Sequence, residues 1–162
     1  VVIHSNDEYL YDLMNKCRFE LYEKFVEKFD AMNRRVGKKQ FLVNYFLSAH
    51  PGATLSDALE LSLYLAKRRL QPEQVQDFIP LPMTVSGCMY HTGKHPFTGA
   101  KVYVPRDLGE RQMQRALVQY KQAGNKKRVR EALKILGRQD LERVLIGRDG
   151  GRDFSGPRRP RR

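Results

Sequence analysis

The chain has 162 residues, 41% of them hydrophobic, and a net charge of +12. Such a length suits one domain with a small appendage, and the apolar content is enough to fill a core. No run approaches 18 apolar residues and the first residues lack the basic-then-apolar order of a secretion signal, which argues against a helical membrane protein and makes the cytoplasm the expected compartment.

The charge is divided unevenly. Up to Pro80, 11 Lys+Arg balance 11 Asp+Glu, so the entire excess lies in the second half. A neutral first half fits an enzyme-like core, whereas a basic second half invites a polyanion such as RNA or simply confers solubility. The two cysteines, Cys17 and Cys88, lie too far apart to form a local motif and read as free thiols.

In chain order, Val1-Val2-Ile3 reads as a strand, and the absence of an initiator Met suggests a piece of a longer protein. Ser5-Asn6-Asp7-Glu8 is a helix-starting cluster, followed by Tyr9, Leu10, Leu13 and Met14 at helical spacing. A second helical pattern runs through Leu21, Tyr22, Phe25, Phe29, Met32 and Val36 to a stop at Gly37. Residues 40–48, nearly continuous in apolar and aromatic side chains, predict a strand covered on both faces, as in a parallel sheet. Thr54 with Asp57 starts a helix through Leu59, Leu63, Ala66 and Leu70, which Pro72 closes before a strand over Val75–Ile79. This strand, helix, strand unit predicts two parallel neighbours. In parallel α/β sheets ligands gather where strands end, so His50-Pro51-Gly52 and Asp77 through Pro82 should emerge side by side.

Residues 74–105 are too rich in Pro, Gly, Thr and aromatics for a helix and read as a hinge off that sheet, with Thr98-Gly99 turning a hairpin into Lys101–Val104. Asp107 with Glu110 caps a helix presenting Met113, Ala116, Leu117 and Tyr120. Asn125 starts another with Val129, Ala132, Leu133 and Leu136 inward, Gly137 ends it, and a third short helix covers Asp140–Ile146. From Arg148 onward six Arg against two Asp, with Gly and Pro, read as a disordered basic tail able to attract phosphate backbones.

Several motifs fall in register: Tyr45-Phe46-Leu47-Ser48-Ala49-His50-Pro51-Gly52, Glu73-Gln74-Val75-Gln76-Asp77-Phe78-Ile79-Pro80, Cys88-Met89-Tyr90-His91-Thr92-Gly93, Val102-Tyr103-Val104-Pro105-Arg106, and further pieces in the later helices. In their order and spacing the chain resembles the YgiQ-type radical S-adenosylmethionine proteins over residues 14–147. The resemblance implies an α/β fold, here a partial parallel-stranded, TIM-like half barrel over residues 1–82, a mainly helical family-specific extension over 83–147, and the basic tail over 148–162. It implies S-adenosylmethionine and a four-iron four-sulfur cluster as cofactors of the full-length protein, with His50, Pro51, Gly52, Asp77 and Pro80 at the cofactor pocket.

The family's C-x-x-x-C-x-x-C cluster motif is absent, and His4-Ser5-Asn6-Asp7 stands where the family has an acidic residue and His. The chain therefore reads as a C-terminal half that is inactive alone, its partners being the missing N-terminal half and an unknown substrate. Plainer readings stand beside these. On these, His50 serves only to hydrogen-bond and shape its turn, and Asp77 to hold the Pro80-Leu81-Pro82 turn. Cys88, His91 and His95 have the spacing of half a zinc site, short of the three or four ligands zinc wants. Tyr90, Phe97 and Tyr103 read as core aromatics, and the basic helix from Lys126 to Lys134 as a solvated face or, alternatively, part of an RNA- or polyanion-binding module.

Overall fold

Helix-forming patterns dominate the chain, and a computed structural model places them around a two-stranded parallel sheet. The structure describes residues 8–147. The expected strand at residues 1–3, the His4-Asp7 cluster and the basic tail lie outside the described residues.

Helix α1 (Glu8–Leu13) buries Leu10, Tyr11 and Leu13. Helix α2 (Phe19–Val36) ends at Gly37, which takes the left-handed conformation (φ 66°) and donates its N–H to the Asn33 carbonyl. Its amphipathic pattern forms the helix as expected, yet no α2 residue is buried, and Leu21, Phe25, Met32 and Val36 all stand exposed. Its first turns meet the rest of the chain through the Phe19 ring set edge-on to Tyr64 and an Arg68–Glu23 ion pair.

Strand β1 (Phe46–Ser48) pairs in parallel with β2 (Val75–Asp77), Phe46 opposite Val75 and Ser48 opposite Asp77. Helix α3 (Leu55–Lys67) connects them. Its start is fixed by a reciprocal capping box: the Thr54 hydroxyl accepts from the Asp57 N–H and the Asp57 carboxylate accepts from the Thr54 N–H, a device worth about 1 kcal/mol.

Beyond the sheet come α4 (Val85–Thr92), α5 (Leu108–Val118), α6 (Lys126–Ile135) and α7 (Glu142–Leu145), with short 3-10 turns before the last two. A single apolar cluster runs through all of this except α4. Phe46 and Val75 of the sheet, Leu55, Leu59, Leu61 and Leu65 of α3, and Leu117, Val129, Leu133 and Leu145 of the later helices belong to it together.

Four expectations are corrected. The strand over residues 40–48 shrinks to Phe46–Ser48, because residues 38–45 find no sheet neighbour and leave Phe41 84% and Val43 94% exposed. A half barrel is not formed among the described residues, whose sheet has only two strands. Within the stretch judged too Gly- and Pro-rich for a helix, α4 forms. Thr84 caps it by accepting from the Gly87 N–H, and Gly87 is needed because a Cβ there would sit 2.3 Å from the Leu81 carbonyl oxygen. The hairpin after it is reduced to one antiparallel bridge, Lys94 to Lys101.

Candidate functional site

The carboxyl ends of β1 and β2 open into two adjacent turns. Ser48 and Asp77 are register partners, the Phe78 N–H donates to the Ser48 carbonyl at 2.9 Å, and the Ser48 hydroxyl donates to Asp77 Oδ1 at 2.6 Å. His50-Pro51-Gly52 and Asp77 through Pro80 are therefore brought together, as the β-α-β pattern predicts.

His50 is 4% exposed and its ring edge meets the Phe78 ring. Nδ1 lies 2.7 Å from the Pro51 carbonyl, which can only accept, so Nδ1 carries the proton and Nε2 accepts from the Ser86 hydroxyl at 2.8 Å. Burial lowers the His50 pKa from 6.5, outweighing the Pro51 hydrogen bond. The unfolded chain therefore binds more protons just below pH 6.5, and the stability owed to neutral His50 is fully present above that pH and falls as pH drops through it. Urea midpoints taken between about pH 7.5 and 5.5 are expected to decline, with a shallower slope in His50→Gln; equal slopes would contradict a buried neutral imidazole.

Pro51 is fully buried, and Gly52, at φ 95°, donates its N–H to the Tyr103 carbonyl at 2.7 Å. Ala49, also left-handed at φ 58°, donates its N–H to Gln114 Oε1, and Gln114 Nε2 donates to the Ala53 carbonyl at 3.1 Å. On the second turn, Asp77 Oδ2 is paired with Arg115 at 3.0 Å, and the Phe78 carbonyl accepts from Arg111 at 3.1 Å. Pro80 is half-buried, between the exposed side chains of Ile79 and Leu81.

Every polar atom of the His50 imidazole is thus satisfied inside the chain. The cavity behind the turn, bounded by Ser48, Ala49, His50, Asp57 and Gln114, has a volume of about 30 Å³, room for a water or two and no cofactor. A ligand at these strand ends must rest on the outer surface of the turns. A wider concavity, about 650 Å³, is an open one between α2 and α3 lined by Phe19, Glu20, Glu23, Glu60 and Tyr64, and it belongs to the helical side.

Other predicted roles fall differently. Phe97 and Tyr103 are exposed, not core; the Tyr103 hydroxyl donates to Glu110, and burial together with that carboxylate pushes its pKa up to about 12, so it remains a donor. On α6, Arg130 pairs with Glu142 and Arg128 donates to Gln112. No group of three or more His, Cys, Asp or Glu able to hold a metal occurs among the described residues. No helix there is long and apolar enough to cross a membrane.

Sequence reasoning missed Ser86, Gln114 and Arg115. A signal existed for one of them, since Glu110, Gln114 and Val118 share a face of α5 at four-residue spacing beside the apolar Met113 and Leu117, an odd place for an amide unless it has buried partners.

Residues 73–151 match a family described as a domain of unknown function (DUF3362). The chain is 52% identical over 130 residues to a UPF0313 protein of Methanosarcina mazei, covering 80% of this chain and 21% of that one. It is 45% identical over 140 residues to a UPF0313 protein of Geobacter sulfurreducens, covering 86% and 23%, and 46% identical over 138 residues to one of Clostridium botulinum, covering 85% and 21%. The chain spans about a fifth of the length of these relatives. No solved structure matches it.

Proposed function

We propose, for a chain that is a UPF0313-family segment, that it forms the later wall of a radical S-adenosylmethionine barrel, with the turns after β1 and β2 facing the cofactor and substrate space. The observation that carries this reading is the parallel β1-α3-β2 unit with both turns at the strands' carboxyl ends, where parallel barrels bind their ligands. The apolar stripe of α2 and the sheet edges without strand neighbours support it, since both suit a unit that continues into further strands and helices.

The residues present do not fit the iron-sulfur cluster. The chain has two cysteines, Cys17 exposed and Cys88 on α4, and no metal-holding group among the described residues. The cluster's ligands must come from elsewhere in the longer polypeptide, and no step through it is assigned to this chain. Toward S-adenosylmethionine the chain offers shape more than side-chain donors: the His50 imidazole and the Gly52 N–H are engaged, leaving the outer faces of the Pro51 turn and of the Asp77-to-Pro80 segment as the contact surface.

The test compares the full-length polypeptide carrying this segment with the 162-residue chain alone, both anaerobically reconstituted with iron and sulfide. The full-length protein is expected to bind S-adenosylmethionine and cleave it reductively, and the short chain to show no cleavage. Cleavage by the short chain, or no binding by the full-length protein, overturns the proposal.

A further inference from the structure

Ala49 holds a left-handed conformation that is unfavourable for an L-residue, and Gly52 holds one that a side chain rarely adopts, so the 49–53 turn needs support from outside. Its own chain neighbours provide little: the Ala53 N–H donates to the His50 carbonyl, and His50 Nδ1 donates to the Pro51 carbonyl. Further polar contacts of the turn arrive from residues 36 or more positions further on. Ser86 at the start of α4 donates to His50 Nε2, and the Tyr103 carbonyl accepts from the Gly52 N–H. Gln114 of α5, 1% exposed, grips both ends at once, accepting from Ala49 and donating to Ala53.

These contacts are linked among themselves. Gln114 Nε2 also donates to Glu110 Oε1 at 3.1 Å, and Glu110 Oε2 accepts from the Tyr103 hydroxyl. The Glu110 N–H donates to Asp107, so this residue's backbone closes the α5 cap while its carboxylate serves Gln114 and Tyr103. Tyr103 therefore touches the turn through its carbonyl and the residue that orients Gln114 through its hydroxyl. The adjacent turn is held from the same helix by Arg111 on the Phe78 carbonyl and Arg115 on Asp77.

We propose that α4, α5 and the segment between them, all within the stretch matching the domain of unknown function, form an intramolecular brace for the strand-end turns of the β-α-β unit, and that Gln114 is its positioning residue. Ser86, Tyr103 and Gln114 all lie within the matched residues 73–151, whereas the turn they hold lies before them. A buried amide satisfying one donor and one acceptor of the same turn fixes its width as well as its place, and its loss would leave two backbone groups unpaired away from water. That the braced turn is a wall of the cofactor space rests on the reading above; the brace itself does not.

The experiment uses the full-length polypeptide with Gln114→Met, which keeps the side chain's length and removes its hydrogen bonds. Hydrogen exchange in a peptide covering 48–54 is expected to accelerate by about tenfold or more while a peptide covering 59–66 in α3 is unchanged. Tyr103→Phe, on an exposed ring, keeps the fold and frees Glu110, and a smaller acceleration confined to the same peptide is expected. If the turn and α3 accelerate together in both variants, or neither variant moves the turn, the brace is overturned. Binding of S-adenosylmethionine to the same variants separates the two ideas. Weakened binding at an unchanged melting temperature supports the braced wall, whereas a loosened turn with unchanged affinity overturns the wall and leaves the brace standing.

Discussion

Gly52→Ala is expected to destabilise the protein by about 3 kcal/mol, from about 1–3 of backbone strain and a similar amount of overpacking. The first contribution follows from φ 95°, which an L side chain rarely adopts. The second follows from the new Cβ, which would lie 2.4 Å from Leu13 Cδ1 and 3.3 Å from Leu10 Cδ1. Both leucines are buried under the turn, so the Leu13 side chain must leave its packed position to make room. Gly99 provides the control: at φ 70° it is also left-handed, but nothing lies within 4 Å of an added Cβ. Gly99→Ala should therefore show the backbone contribution alone, about 1 kcal/mol. Urea denaturation of both variants decides the matter; equal losses would mean that α1 does not pack on the turn as described.

Leu117→Ala is expected to cost about 2–5 kcal/mol, the range for truncating a fully buried leucine whose surroundings cannot collapse. Leu117 is 0% exposed and sits where α5 meets both α3 and α6. The distribution of the loss matters as much as its size. Because Leu59 and Leu65 of α3 share one apolar cluster with Leu117, Val129 and Leu133, protection against hydrogen exchange should fall in α3 and α6 together. Loss confined to α5 and α6, with α3 amides untouched, would mean that the β-α-β unit has a core of its own.

Those two positions also mark how far the sequence could be read. The helical stripe of α2, its stop at Gly37, the Thr54–Asp57 box and the Asp107 cap were all legible, and the structure places each at the expected residues. The parallel strand pair was legible too, from two apolar runs flanking one helix of crossover length. Helix α4 was not. Its Gly, Thr and neighbouring Pro residues weigh against helix on propensity, and what overrides them is contextual: a Thr84 cap, a glycine that fits under the Leu81 carbonyl, and a Met89 side chain that is completely buried. Residues 40–45 failed in the opposite direction. An apolar run reads the same whether or not a neighbouring strand is present to accept it, and here none of the described residues does.

At the candidate site the division has the same cause. Residue order alone places His50, Pro51, Gly52, Asp77 and Pro80 at the ends of two parallel strands, because a strand, a helix and a returning strand leave few ways to run the chain. Caps and glycine stops are equally local, their energies set by atoms within a turn or two. Which groups satisfy those turns was decided only by the tertiary structure. Gln114 reaches Ala49 from 65 residues away and Arg115 reaches Asp77 from 38, and such contacts depend on how α5 packs across the sheet. A hydrogen bond of that range follows from the fitted shapes of Leu117, Leu65 and Phe46 between them, and the periodicity of neither partner foretells it.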